Sequence, residues 1–216
     1  MDNEQTTIVA TRKDLQLPRR LFHMGSGVTV AFIYNFLLTH QQAVSILGTI
    51  TCVLYILEQV RINYPEFAGN FEQYSKYLLR AEEQLKESAG IPFVMGLLLT
   101  ILSFPKPIAV VAILTLAIAD PLSALIGIRF GRLRVVAHKS IEGSAAFFLG
   151  CFLSTAAVFI GYAPTTGTAF GLAFFVAFTV GVFEMVPIRL DDNLTIPLFT
   201  AAVTWLFCAV LEISVY

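Results

Sequence analysis

Charged residues are scarce in this chain. Asp, Glu, Lys and Arg make up 13% of its 216 residues, about half of the roughly 25% found in soluble globular domains. Hydrophobic residues account for 56%, and the mean hydropathy is +0.75. This composition excludes an ordinary soluble domain. The long apolar runs with almost no charge predict a polytopic α-helical membrane protein.

Cysteine is also rare, and the chain lacks a strong net charge. Cys52, Cys151 and Cys208 each lie inside an apolar run without metal-site spacing, so we expect them to be small packing residues. The formal net charge of −1 gives no reason to expect nucleic acid as a partner. The polar N-terminal residues do not resemble a cleavable signal, and we expect the first span to insert as an uncleaved anchor.

The apolar runs predict an all-α fold with seven transmembrane spans. The spans cover residues 20–38, 43–60, 90–105, 107–129, 142–162, 168–188 and 194–214. Pro105 and Pro107 must separate the third span from the fourth, because two closely spaced prolines do not fit inside one continuous helix. The third span is therefore short for a hydrocarbon core of about 30 Å. We expect residues 19–216 to form a single transmembrane domain.

The positions of Lys and Arg predict the orientation of these spans. All fourteen of these residues except Lys106 fall on one side of the predicted membrane, and the positive-inside rule makes that side the cytoplasm. The N-terminal tail, residues 1–18, is therefore expected in the cytoplasm. Between residues 66 and 90, apolar residues recur at spacings of three and four with charges between them. This pattern predicts an amphipathic helix in the cytoplasmic interface, with a plain connector as the alternative.

Acidic residues near the cytoplasmic ends of the spans are the first chemical signal. Asp120 lies inside the fourth span, where an ionised carboxylate costs roughly 2.5–3.5 kcal/mol unless it meets a partner or water. Asp120-Pro121 resembles a helix N-cap followed by proline, which predicts a break in the span. Glu184 and Asp192 lie at a similar depth. Carboxylates from separate helices suit Mg²⁺, although Asp191 or Asp192 could also be an ordinary helix cap.

Small and basic residues follow Asp120. Gly127 and Gly131 lie on its helical face, and either tight helix packing or close approach of a ligand explains such a face. Lys139 and Ser140 precede the fifth span, where free backbone N–H groups and the helix dipole favour an anion. These features predict an anion-binding site close to the buried carboxylate.

Arg20 and His23 lie one turn apart at the start of the first span. His23 is either an interfacial aromatic residue, or a proton acceptor or phosphate ligand. The chain contains no G-x-x-x-x-G-K-[ST] loop. Any phosphate binding must therefore depend on these side chains and on the start of the fifth span.

Several motifs occur in order along the chain. They are Arg20-x-x-His23, Asp120-x-x-x-Ala124-x-x-Gly127-x-x-x-Gly131, Lys139-Ser140-x-Glu142-Gly143-Ser144, Glu184 and Asp192-Asn193-Leu194-x-x-Pro197. Their order resembles the polyprenol kinase family of dolichol kinase, phytol kinase and the CTP-dependent diacylglycerol kinase. The resemblance extends over about residues 19 to 200, and the Lys-Ser and Asp-Asn motifs are its most specific parts. Family members often have glycine where this chain has Ala119, a mild departure.

The resemblance implies an enzyme that transfers the γ-phosphate of a nucleoside triphosphate, typically CTP, to the hydroxyl of a membrane lipid alcohol. The acceptor would be a polyprenol or dolichol, phytol or another prenol, or diacylglycerol. Residues 19–216 would then form the catalytic domain, with an active site that faces the cytoplasm. The membrane would be a cell inner membrane or one of the endoplasmic-reticulum type. Gly- and Ala-rich spans would also suit a homodimer.

The resemblance also implies roles for individual residues. Asp120 and Asp192 would hold Mg²⁺. Glu184 would be a third ligand, or it would contact the ligands without binding the ion itself. His23 and Asp120 are both candidates for accepting the proton of the lipid hydroxyl, and Lys139 would contribute to catalysis. The residues expected to bind nucleotide or phosphate are Arg20, Lys139, Ser140, Glu142, Gly143, Gly127, Gly131, Arg189 and Asn193.

Two other functions remain as alternatives. A CTP:phosphatidate cytidylyltransferase would use the same nucleotide, but the Pro-Gly-His-Gly-Gly and late Asp-Arg-x-Asp motifs typical of that family are absent. A small membrane transporter usually has charged residues along a path through the membrane, whereas here the outer half has almost none. A retinal protein is excluded because the seventh span contains no lysine.

Overall fold

The computed structural model describes residues 17–64, 90–136, 139–188 and 190–215. These segments form seven helices and one short antiparallel ribbon. In chain order they are α1 Leu17–Phe36, α2 His40–Asn63, α3 Gly90–Ser103, α4 Lys106–Phe130, β1 Arg134–Val136, β2 Lys139–Ser140, α5 Ile141–Phe159, α6 Thr166–Glu184 and α7 Asp192–Val210. The all-α class is confirmed for the described residues, although the ribbon was not predicted.

Each predicted span corresponds to one helix. Helices α2, α4, α5, α6 and α7 are long and apolar enough to cross a membrane. Helix α3 is apolar but has only 14 residues, or about 21 Å at 1.5 Å per residue, which agrees with the short third span. The side of the membrane on which each end lies stays a prediction.

Helix α4 lies at the centre of the fold. Its residues 108–113 are all buried, as expected for a helix that is apolar on every side. Helices α1, α3, α5 and α7 pack against α4, and α6 packs against α5 and α7. Helix α2 packs against α3, and most of its surface is exposed. The described core is therefore built around α4.

The predicted break between the third and fourth spans is confirmed. Helix α3 ends at Ser103, and Pro105 is the N-cap residue of α4. Pro107 lies in the first turn of α4, where a backbone N–H would have no helical partner. The two prolines therefore start a new helix at no cost in hydrogen bonds.

The predicted break at Asp120 is wrong. Helix α4 is continuous, and Asp120 has helical backbone angles of φ −64° and ψ −51°. Residues Thr115–Ala119 form a π-helical segment directly before it. Pro121 has no N–H, and in a regular α-helix its ring would clash with the carbonyl of Ala117. The wider π-helical turn accommodates this proline without interrupting the helix.

Three predicted features lie wholly or largely outside the described residues. They are the N-terminal tail at residues 1–18, of which only the last two belong to α1, the amphipathic helix at residues 66–90, of which only Gly90 is described, and the phosphate ligand Arg189. These three stay predictions.

Candidate functional site

The β1–β2 ribbon delivers Lys139 and Ser140 to the start of α5. Arg134 pairs with Ser140, and Val136 pairs with Lys139. The Ser140 hydroxyl caps α5, because its Oγ accepts a hydrogen bond from the Gly143 N–H at 3.1 Å. The ribbon and the cap together set the direction of Lys139. Strands of two and three residues are too short for an alternating pattern to reveal them in the sequence.

Lys139 reaches across to the end of α6. Its Nζ donates to Oε1 of Glu184 at 2.7 Å and to the backbone carbonyl of Glu184 at 2.6 Å. The Glu184 side chain is only 4% exposed, whereas that of Lys139 is 30% exposed. Because Glu184 ends α6, its carbonyl is one of those that lack a partner within the helix. Lys139 therefore satisfies the end of α6 and neutralises a buried acid.

Two further carboxylates lie beside this ion pair. Oδ2 of Asp192 lies 3.7 Å from Nζ of Lys139, and the Asp192 side chain is 54% exposed. The charged neighbours of Asp120 are Asp192, Lys139, Glu184 and Arg20. The fold thus gathers five predicted site residues, which come from α1, α4, β2, α6 and α7, at one end of the bundle.

Two serines complete the surroundings of Glu184. The hydroxyls of Ser123 and Ser144 lie 3.5 Å from Oε1 and Oε2 of Glu184, at the long limit for a hydrogen bond. Ser123 was missed in the sequence, although its position three residues after Asp120 places both side chains on neighbouring parts of one helical face. That spacing was the signal that could have identified it.

Asp191, and not Asp192, caps α7. Its Oδ1 accepts a hydrogen bond from the Asn193 N–H at 2.9 Å. Asp192 is the first residue of the helix and lies beside Lys139. A Cβ atom on Gly96 of α3 would collide with the backbone carbonyl of Asn193, so close packing sets the position of this helix start. The predicted role of Asn193 as a ligand stays a prediction.

Three glycines bring α4 close to the start of α5. A Cβ atom at Gly131 would lie 2.6 Å from the Ser140 Oγ, and one at Gly127 would lie 3.2 Å from the same atom. A Cβ atom at Gly143 would lie 2.9 Å from the backbone carbonyl oxygen of Ser123. Of the two explanations offered by the sequence, the geometry directly supports tight packing. Nucleotide binding by these glycines stays a prediction.

Glu142 and His23 have other contacts in the structure. The carboxylate of Glu142 accepts a hydrogen bond from the backbone N–H of Arg132 at 3.0 Å, which secures the segment between α4 and β1. The His23 ring lies 4.3 Å from the Phe93 ring, centroid to centroid, with an interplanar angle of 50°. His23 therefore contributes to the contact between α1 and α3, and its proposed chemistry is untested by this geometry.

Comparisons with known proteins identify three informative relatives. An uncharacterised protein of Methanocaldococcus jannaschii is 31% identical over 193 residues, which cover 86% of this chain and 91% of that protein. The CTP-dependent diacylglycerol kinase 1 of Saccharomyces cerevisiae is 28% identical over 150 residues, 68% of this chain and 51% of that protein. The phytol kinase of Synechocystis sp. is 35% identical over 107 residues, 45% of this chain and 43% of that protein.

This chain belongs to the polyprenol kinase family. The matched region spans about half the length of the yeast kinase. Neither a protein-family model nor a solved structure matches the chain. With five helices able to cross a membrane, this member of the family is an integral membrane protein.

Magnesium was expected at this site, and the donor set fits that ion. Within the described part of the chain, no three His, Cys, Asp or Glu side chains converge as a metal site. Mg²⁺ typically takes one or two protein carboxylates and fills its shell with water and phosphate oxygens. Asp120 and Asp192 can supply such a pair, whereas the carboxylate of Glu184 is bound by Lys139. The magnesium assignment itself stays a prediction.

Proposed function

We propose that this chain is a lipid kinase that transfers the γ-phosphate of CTP to the hydroxyl of a membrane lipid alcohol. The observation that carries this proposal is the cluster of Asp120, Lys139, Glu184 and Asp192 at one end of an otherwise apolar bundle. Two relatives named as a CTP-dependent diacylglycerol kinase and a phytol kinase support it. The acceptor is a polyprenol or dolichol, phytol or another prenol, or diacylglycerol.

The cluster has the charges that phosphoryl transfer requires. This reaction depends mainly on positioning and on neutralising charge, and little on covalent chemistry by the protein. Arg20 and Lys139 bind phosphate oxygens, and Asp120 and Asp192 hold Mg²⁺. The bound ion would neutralise negative charge on the β- and γ-phosphates. Glu184 balances the charge of Lys139.

The reaction is a single displacement at the γ-phosphorus. The oxygen of the lipid hydroxyl forms a bond to this phosphorus as the bond to the β–γ bridging oxygen breaks. The bridging oxygen leaves with the electron pair as part of CDP, and the product is a lipid phosphate. The hydroxyl proton passes to a base, for which His23 and Asp120 are the candidates.

The reaction takes place at the cytoplasmic surface. Arg20 and Lys139 belong to the side of the predicted membrane on which the sequence concentrates its Lys and Arg residues, and the positive-inside rule supports a cytoplasmic location for that side. A lipid alcohol would have its hydroxyl at this interface and its apolar tail in the bilayer. A homodimer is compatible with this arrangement and is not required by it.

Transfer of labelled phosphate tests this function. Purified protein with Mg²⁺ and mixed lipid alcohols is supplied with CTP labelled at the α or the γ position, and the Asp120→Asn variant is measured in parallel. We expect lipid labelled from the γ position only, and loss of this product in the variant. Label from the α position would instead identify a cytidylyltransferase. Unlabelled ATP in excess tests the preference for CTP, since it should not suppress labelling.

A further inference from the structure

The hydrogen bonds of Lys139 leave part of its ammonium group available. A lysine ammonium has three N–H donors, and two of them are directed to Glu184 at 2.6 and 2.7 Å. Among the described residues, Asp192 also forms an ion pair with this ammonium group, and its Oδ2 lies 3.7 Å from Nζ. That distance allows ionic attraction but lies outside hydrogen-bonding range. Lys139 can therefore donate one hydrogen bond to a ligand without leaving Glu184.

Glu184 cannot readily release Lys139. Its side chain is buried, with the hydroxyls of Ser123 and Ser144 at the edge of hydrogen-bonding range. Removing the partner of a buried charge leaves that charge uncompensated, which is strongly unfavourable. Movement of Lys139 toward a phosphate group would have this effect on Glu184. The ammonium group is thus held in place while it receives a ligand.

We propose that Glu184 is a positioning residue for Lys139. It holds the ammonium group beside Asp120 and Asp192 so that the third N–H meets a phosphate oxygen of the nucleotide. In this assignment Glu184 acts by holding Lys139 and does not bind the metal ion. It rests on the proposed function, because that function places the triphosphate at this cluster.

The test measures both binding and catalysis in four forms of the full chain. They are the native protein, Glu184→Gln, Lys139→Met and the double variant. Binding is measured with inorganic triphosphate and Mg²⁺, which requires no transfer to lipid, and kcat/KM is measured with CTP. Glu184→Gln keeps the size of the side chain but removes the charge that holds Lys139. Glu212→Gln is the matched control, because it removes the same charge from an exposed residue just beyond α7.

We expect Glu184→Gln to weaken triphosphate binding about tenfold and to lower kcat/KM about 10- to 100-fold, as displacement of a positioned group does. The double variant should be no worse than Lys139→Met alone, because both substitutions remove one interaction. Glu212→Gln should match the native protein. A separate structural role for Glu184 would make the two losses multiply, and this result would overturn the proposal. Unchanged triphosphate binding in Glu184→Gln would also overturn it.

Two further results separate this proposal from the kinase function. Native protein that shows the expected binding pattern without transferring phosphate would disprove the kinase and leave the positioning role supported. If the native protein transfers phosphate and the Glu184→Gln variant is unaffected, the positioning role alone would be disproved. Should Glu184→Gln fail to fold in detergent, Glu184→Asp replaces it in the same cycle. This variant keeps the charge but withdraws it from Lys139 by one methylene, and we expect a smaller loss with the same lack of additivity.

Discussion

Two lysines lie beside α4, one at its start and one beside Asp120, and they have opposite surroundings. Lys106, at the start of α4, donates to the backbone carbonyl of Leu38 at 2.8 Å, and its Nζ lies 5.2 Å from the centre of the Tyr34 ring. Lys139 lies in the charged cluster that includes Asp120. Asp120 is fourteen residues along α4 from Lys106. That separation is about 21 Å along the helix.

The partners of the two lysines explain the difference in their expected roles. Lys106 meets a carbonyl and an aromatic ring, and the Tyr34 hydroxyl shares a hydrogen bond with Nδ1 of His40 at 3.1 Å. No carboxylate in the described ranges forms an ion pair with Lys106, so this cluster joins α1, α2 and α4 without an excess of acid. Lys139 instead lies among carboxylates. A lysine at a helix start thus becomes a candidate phosphate ligand through the acids around it.

The largest effect on activity should come from removing the Asp120 carboxylate from the charged cluster. Asp120→Asn should lower γ-phosphate transfer at least about 100-fold, because the charge placed opposite the reacting phosphates is lost. Asp191→Asn is the matched control, since asparagine is an equally good helix cap and Asp191 already has that function. Transfer of label from γ-labelled CTP to lipid measures both. Equal losses in the two variants would show that Asp120 has no special role.

The next largest effect should distinguish the two lysines. Lys139→Met should lower kcat/KM about 10- to 100-fold, because a positioned phosphate ligand is lost. Lys106→Met should leave kcat/KM nearly unchanged and lower the thermal midpoint, since the carbonyl of Leu38 loses a charged hydrogen-bond donor. Kinetics and thermal unfolding in one detergent measure both variants. A large kinetic loss in Lys106→Met would contradict the comparison.

A smaller effect should follow from overpacking the glycine contact. Gly143→Ala should destabilise the protein by about 1–3 kcal/mol, because the new Cβ atom would lie 2.9 Å from the backbone carbonyl oxygen of Ser123. Gly171→Ala, in α6, is the matched control, since a Cβ atom there meets nothing within 4 Å. Thermal unfolding in detergent compares the two. An equal shift in both variants would show that the contact is not tight.

The smallest effect should come from removing a helix cap at either end of the bundle. Asp191→Ala and Thr39→Ala each remove a side chain that caps a helix, α7 and α2 respectively, and each should cost about 1 kcal/mol in the free energy of unfolding. Only Asp191→Ala should also weaken triphosphate binding, because Asp192 is its neighbour in the acidic cluster. Binding and thermal unfolding test this pair. Weaker triphosphate binding in Thr39→Ala would contradict this prediction.

Local features of the chain were predictable. The apolar runs predicted all seven described helices, because the hydropathy of a segment depends on its own residues. Pro105 and Pro107 predicted the break before α4 for the same reason. The Asp120-Pro121 pattern failed because a proline after an acid fits both a helix start and the end of a π-helical segment. Close packing accompanies the second outcome, since a Cβ atom at Gly150 of α5 would lie 2.8 Å from the Cα of Ala119.

The sequence identified the residues of the charged cluster, but not which of them pair with one another. Asp120, Lys139, Glu184 and Asp192 were each identified in the sequence from their chemistry and position, and the structure brings them together. The bond between Lys139 and Glu184 joins residues 45 positions apart, and no local pattern specifies such a pair.

The sequence by itself determined which segments are helical and which residues can carry charge, because both properties belong to single residues and their near neighbours. The tertiary structure alone decided that Lys139 binds Glu184 and that Asp192 lies beside Lys139. The reason is that partners are chosen by the packing of α4, α5, α6 and α7. Close glycine contacts set that packing over distances of a few ångströms.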